Sequence, residues 1–306
     1  MTPPLDSRLT QAASTASSYR EITLGVRSTG FRTNSLRHAT LTHGNDRRIA
    51  DEFLVNTRLI RDDRQTEASV MEYLSDAGSV MLSMNGRDTD RGLREIPLPA
   101  GTRLRLELGE TLHRRRSVRA YTGDRISLPQ VASLLRAAGG ATVEVGVAAG
   151  EDAEVSLRFR SVPSGGGLYP VDLHLLALGI DGVERGVYRY DSVTDSLVQL
   201  GDGSRVDAFL DCLAVPEELI AVRQAAMVLL LVGHPWRSMR KYGDRGMRFV
   251  FHEAGAISEH AHLAAVALGL ASVDCGSFYD DEAHDALSFD GVYQALLHVV
   301  VVGWPG

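Results

Sequence analysis

Two apolar runs and the segment between them constrain the fold of this chain most. Met227–Val232 is uninterrupted, and Leu296–Val302 is broken only by His298. Apolar runs of this length that lack polar alternation are the pattern of strands buried on both faces. Between them lies Phe249–Leu270, long and rich in alanine, with apolar residues over more of its circumference than a surface helix needs. The spacing therefore predicts a buried central or dimer-forming helix flanked by two core strands. Val171–Ile180, Gly186–Tyr190 and Ser196–Leu200 read as further strands. Val131, Leu134, Leu135 and Ala138 share one face of a helix that Ser127 and Pro129 begin and Gly139-Gly140 ends. Helices and antiparallel-looking hairpins in this order give an α+β sandwich more readily than a doubly wound sheet.

The start of the chain has a different texture, with scattered charges and interrupted apolar stretches. Residues 1–108 are expected to form an N-terminal accessory region, with helical pieces around Ala50–Leu59 and Glu67–Leu74. Pro97-Leu98-Pro99-Ala100-Gly101 reads as a linker, because paired prolines and a glycine interrupt regular pairing. The main domain is expected over residues 109–306.

Composition removes several function classes. A net charge of −7 over 306 residues argues against a nucleic-acid surface, which needs a basic patch for phosphates. Cys212 and Cys275 are far apart, so neither a disulfide framework nor a zinc site is indicated. No stretch has the roughly eighteen apolar residues of a membrane span, and the N-terminus lacks the features of a signal peptide. A cytoplasmic location is the expectation.

Of the 32 basic residues only one, Lys241, is a lysine. Arginine keeps its proton at any accessible pH, whereas a lysine that is crowded by cations or partly buried can act as a base. Arg237, Arg240, Arg245 and Arg248 are the expected crowding groups, and the adjacent Tyr242 is a second proton carrier. Two other segments carry chemistry. Arg115-Arg116-Ser117-Val118-Arg119 can place two guanidinium groups and a hydroxyl around a phosphate or polyol. Pro163-Ser164-Gly165-Gly166-Gly167-Leu168-Tyr169-Pro170 exposes backbone N–H groups and permits close approach of a flat ligand. It lacks the lysine and spacing of an NTPase phosphate loop.

Arg-Arg-Ser-Val-Arg-Ala-Tyr, the glycine loop followed by a strand, Gly186-Val187-Tyr188-Arg189-Tyr190-Asp191 and the Lys241-Tyr242 pair occur here in order. With Ala267-Leu268-Gly269-Leu270, Gly276-Ser277-Phe278 and Val302-Gly303-Trp304-Pro305, they resemble the nitroreductase fold, specifically the SagB-type azoline dehydrogenases. Residues 49–61 also look like the N-terminal extension of that family, which suggests peptide docking for region 1–108. The resemblance implies a nitroreductase-like, FMN-binding sandwich that forms an interlocked homodimer with the flavin at the subunit interface. It implies that Arg115, Ser117 and Arg119 contact the FMN phosphate and ribityl chain. It also implies that Pro163, Ser164, Gly165 and Gly167 lie against the flavin from the partner subunit, that Gly276 and Ser277 lie near its edge, and that Lys241 and Tyr242 are catalytic.

The implied reaction is oxidation of a thiazoline or oxazoline in a ribosomally made precursor peptide, with molecular oxygen as reoxidant and a YcaO-type cyclodehydratase as a partner. Two other readings are an NAD(P)H-dependent nitroreductase or flavin reductase, and a non-catalytic docking subunit of a peptide-modifying complex. The chain departs from the family at Glu259-His260, where many relatives have Gln-Asn, and in a third loop glycine where alanine is common. No metal site is expected. His252-Glu253 starts like HExxH, but position 256 is alanine, and His260 and His262 do not share a helical face. Cys275 reads as a small buried strand residue.

Overall fold

In the computed structural model the described residues are 53, 54, 56–59, 64–76, 93–148 and 154–306. Most of the expected accessory region 1–108, including positions 49–52 of the segment likened to the family's N-terminal extension, lies outside them. The chain divides into two compact units, Met1–Arg58 and Leu59–Gly306. In the first, the Thr57 N–H donates to the Phe53 carbonyl at 3.1 Å, closing a helical turn.

In the second unit the described elements are, in chain order, α1 (Arg64–Ser75), β1 (Glu95–Pro97), α2 (Leu108–Arg114), α3 (Leu128–Gly139), β2 (Ala141–Ala148), β3 (Glu154–Arg160), β4 (Val171–Ala177), β5 (Gly186–Asp191), β6 (Ser196–Asp202), α4 (Gly203–Asp211), β7 (Met227–Gly233), α5 (Pro235–Tyr242), α6 (Gly246–Ala267), β8 (Ala271–Cys275), α7 (Asp280–Leu287) and β9 (Ala295–Gly303). Seven strands form one sheet in the order β1-β6-β5-β4-β7-β9-β8, and every described pairing in it is antiparallel. β2 and β3 pair separately as a two-stranded ribbon.

The apolar run of β7 has a direct physical cause. Met227, Leu229 and Leu231 pack into a core shared with α3 and α6, while Val228, Leu230 and Val232 pack into a second core with α4 and α7. With side chains alternating between faces, a strand covered by helices on both sides has no polar side, so the α+β sandwich follows. α3 begins as expected: Gln130 Oε1 accepts the Ser127 backbone N–H at 3.1 Å, the return arm of a capping box.

Some boundaries differ from the sequence reading. Pro97 closes β1 at the sheet edge, paired with Ser196, where a missing N–H is tolerated. The segment read as a linker therefore begins inside the sheet. β4 ends at Ala177, and Ile180 instead bridges Ile126. The central helix starts at Gly246, separated from α5 by Gly243 at φ +54°. Cys275 is buried at the end of β8, as read from the sequence.

Candidate active site

The short helix α5 leaves the sheet after β7, with Pro235 preset for its first turn. It is fastened to β4 by one buried carboxylate. Arg237 donates to Asp172 through both arms of its guanidinium, at 2.7 and 2.8 Å, and His234 Nε2 lies 3.0 Å from the same group. Burial opposes ionisation of Asp172, but Arg237 and His234 hold its carboxyl well below the usual carboxylate range. Of the cations expected to crowd Lys241, Arg237 is therefore committed to Asp172, and Arg240 is exposed.

Lys241 and Tyr242 form the last turn of α5. The Lys241 ammonium lies 5.3 Å from the Tyr73 ring centroid and 5.2 Å from that of Tyr242, within cation–π range of both. Tyr73 comes from α1, which docks on α5; the Ser69 hydroxyl lies 3.3 Å from the Lys241 carbonyl. The Tyr242 ring meets Phe249 edge-on, with centroids 4.9 Å apart.

The glycine loop closes onto this pair. Gly166 has φ +70°, and a Cβ built there would lie 2.5 Å from the Tyr242 hydroxyl and 3.0 Å from Lys241 Nζ. Glycine is required twice over, by backbone conformation and by space. A Cβ on Gly165 would meet the Phe249 ring at 2.9 Å. At the far end Tyr169 has φ +45°, a conformation costing a side-chain-bearing residue about 1–2 kcal/mol. Four contacts hold it there. Its N–H donates to Ser164 Oγ at 2.9 Å, its hydroxyl accepts the Arg160 N–H at 2.9 Å, its carbonyl accepts from Arg237 at 3.2 Å, and the Arg160 guanidinium covers its ring at 4.9 Å.

The arginine segment lies elsewhere, along β8. Ser117 bridges Ser272 in parallel, and the Val118 N–H donates to the Ser272 carbonyl at 3.1 Å. Ser117 and Arg119 are exposed and Arg115 half-buried; among the described residues neither Arg115 nor Arg119 has a carboxylate partner. Gly276 follows β8, with nothing within 4 Å of where its Cβ would be. The Ser277 carbonyl accepts the Ala214 N–H at 2.9 Å.

A cavity of about 400 Å³ opens between α6, β8 and β9, lined in part by Phe251, Gly255, Ser258, Glu259, Asp274 and His298. Asp274 gathers three polar groups: the Ser258 hydroxyl at 2.7 Å, His262 Nε2 at 3.0 Å and His298 Nε2 at 2.7 Å. Against the pull of burial, His262, His298 and Ser258 hold its carboxyl far below the usual range. His262 Nδ1 is 2.7 Å from Ser272 Oγ, while His260 faces α3 through the Ala137 carbonyl at 3.0 Å. Among the described residues no three His, Cys, Asp or Glu side chains are grouped to hold a metal ion.

The predicted residues thus fall into two groups. Lys241, Tyr242, Pro163, Ser164, Gly165 and Gly167 gather near Phe249 on α6. Arg115, Ser117, Arg119, Gly276 and Ser277 gather along β8, whose Ser272 contacts His262. His262 lies thirteen helical steps after Phe249, or about 20 Å along the axis. Asp172, Asp274 and Tyr73 escaped the sequence reading, and Glu253 was weighed there only as part of a metal motif. For Asp172 a signal exists, since a carboxylate in an otherwise apolar buried strand requires a partner.

The family model described as the Nitroreductase family matches residues 112–304. A protein of Methanocaldococcus jannaschii that carries a nitroreductase name is 36% identical over 193 residues, covering 63% of this chain and 89% of that protein. An Anabaena variabilis crystal structure, also named as a nitroreductase, superposes with TM-score 0.56 at 21% identity. The match covers 72% of this chain but only 43% of that longer one. A chain of the E. coli microcin synthetase McbBCD complex, solved with truncated pro-MccB17 bound, superposes with TM-score 0.51 at 18% identity, covering 84% of this chain and 92% of that one. At these identities the structural matches speak for the fold.

Proposed function

This chain belongs to the nitroreductase family of oxidoreductases, and on that premise we propose that it is an FMN-dependent dehydrogenase oxidising peptide thiazolines or oxazolines to aromatic azoles. The observation that carries the proposal is the closure of Lys241 and Tyr242 onto Gly166. Both groups can hold or take a proton, and they meet at a loop with exposed backbone that suits a flat ligand. Reduction of a nitro group can draw its protons from solvent, whereas oxidation of an azoline needs a base held at the ring Cα.

The residues present fit FMN. Arg115 and Arg119 supply charge for one terminal phosphate, without competing carboxylates among the described residues. Gly276 leaves open space, and the adjoining cavity is within the size range of small-ligand sites. From Ser272, beside the arginine segment, to Gly276 the strand runs about 13 Å, comparable with an extended FMN. When bound, FMN supplies a two-electron acceptor for the ring's hydride. Lys241 is the group expected to take the proton from the ring Cα, with Tyr242 beside it as the second candidate, while the loop and Phe249 limit water access.

The two groups of site residues argue for a homodimer. One protomer sets them about 20 Å apart along α6, and a twofold copy would bring the loop of one subunit to the arginines of the other. Among the described residues a Cβ at Gly255 on α6 would meet nothing within 4 Å, which leaves room on this helix for a second copy. The peptide substrate rests on the resemblance of the Lys-Tyr pair to azoline dehydrogenases, and is in keeping with a structure of the same fold whose complex holds truncated pro-MccB17. A cyclodehydratase would supply the azoline, and the region before residue 109 would dock the peptide; α1 already places Tyr73 beside Lys241.

The test is incubation of the purified protein with a thiazoline-containing peptide in air, followed by mass spectrometry. The proposal expects loss of two hydrogens per ring. NADPH-dependent turnover of a nitroaromatic with no azoline oxidation would support the reductase reading that the M. jannaschii relative's name suggests.

A further inference from the structure

We propose that Glu253 is a positioning residue for the glycine loop, a buried carboxyl on the central helix that ties the start of the loop to its end and so sets how Gly166 meets Lys241 and Tyr242. Glu253 is 1% exposed. Its Oε1 accepts the Val171 N–H, the first residue after the loop, at 3.1 Å. Its Oε2 is enclosed without a hydrogen-bond partner, and Ser164, near the beginning of the loop, lies close enough to favour the ionised carboxyl. Ser164 Oγ in turn accepts the Tyr169 N–H at 2.9 Å. Glu253 thereby holds the end of the segment directly and lies beside Ser164 at its start, and between them are three residues at positive φ, Gly166, Gly167 and Tyr169. Phe249, one turn earlier on α6, presses on Gly165, so consecutive turns of one helix shape the loop from beneath.

Charge makes this tie sensitive to pH. Burial raises the Glu253 carboxyl to about 7, opposed by Ser164, Arg160 and the Val171 N–H, with Asp172 adding to the rise. Arg160, at the end of β3, lies with a guanidinium nitrogen 3.8 Å from Asp172. Asp172 on β4 is otherwise paired with Arg237 and His234, so the charges around Glu253 largely satisfy one another. Ionised Glu253 is left in a dry site beside a second carboxylate. Opening of the loop, which would hydrate it, becomes easier as pH rises through 7.

This inference rests on reading the loop as part of the active site, but its test needs no substrate. Hydrogen–deuterium exchange of residues 164–171 is followed at pH 6 and pH 8 in the wild type, Glu253→Gln and Glu253→Ala, corrected for the intrinsic pH dependence of exchange. In the wild type the loop should open roughly tenfold more often at pH 8 than at pH 6, as expected for a carboxyl moving from about 7 when closed to its ordinary value when open. Glu253→Gln should abolish that dependence while keeping Val171 protected. Glu253→Ala, with the acceptor gone, should speed Val171 exchange roughly tenfold at both pH values, with β7 amides unchanged. A wild-type loop with no pH dependence, the same dependence in Glu253→Gln, or unchanged Val171 protection in Glu253→Ala would each overturn the proposal. Failure of azoline oxidation alone would touch the proposed reaction and not this role.

Discussion

The Tyr242 hydroxyl lies 2.5 Å from the point that a Cβ on Gly166 would occupy. Gly166 also sits at φ +70°, so a side chain there is strained by its own backbone and collides with the Lys-Tyr pair. Gly166→Ala should leave a folded protein by circular dichroism, because the loop lies at the surface. Its kcat/KM should fall at least roughly tenfold, since displacement of groups aligned for proton transfer is costly even when small.

The arginine segment makes a separable prediction. Arg115→Ala/Arg119→Ala should fold normally, because neither side chain has a carboxylate partner among the described residues, yet purify without flavin absorbance. Bound FMN retained at full occupancy would move the phosphate site elsewhere.

Asp172 should matter for stability. It is 8% exposed and carries the Arg237 fork and the His234 contact. Asp172→Asn removes the charge partner of a largely buried guanidinium, and breaking a buried pair costs about 3–5 kcal/mol. A large drop in the urea midpoint should be accompanied by lower activity, because α5 carries Lys241.

Glu253 should shape the pH dependence of stability. Its folded-state value of about 7 is above the ordinary 4.5, so the folded protein binds the extra proton between those limits. Stability from this group is fully present below pH 4.5 and is lost as pH rises through 7, by about 3 kcal/mol in all. Denaturant titrations across this window should show that decline in the wild type and its loss in Glu253→Gln.

A homodimer should be seen by light scattering, and it should be needed for flavin binding. A monomer with full flavin occupancy would contradict the shared site.

How much of this was legible in the sequence follows from which signals are local. Met227–Val232 betrayed a strand covered on both faces because each of its residues must be apolar. Gly139-Gly140 and the start at Ser127 and Pro129 marked α3 because helix ends are decided within a few residues. The single lysine drew attention to position 241 through composition alone. What sequence could not show was convergence. Glu253 and Val171, or Asp274 and His298, are distant in the chain and meet only once the sheet is assembled, and a carboxylate looks the same in sequence whether buried or solvated. Pro97 was misleading for the opposite reason: its local signal says loop, but at a sheet edge the missing N–H costs nothing.

The most direct measurement is the rate of azoline oxidation by Lys241→Arg under conditions where bound FMN and the dimer are verified. Arginine keeps the positive charge and the cation–π contact with Tyr73, but cannot accept a proton. The account predicts loss of at least roughly a hundredfold in kcat, as for a missing general base. A Lys241→Arg enzyme working at near wild-type rate would contradict it, and would make the lysine an electrostatic group and Tyr242 the better candidate for the base.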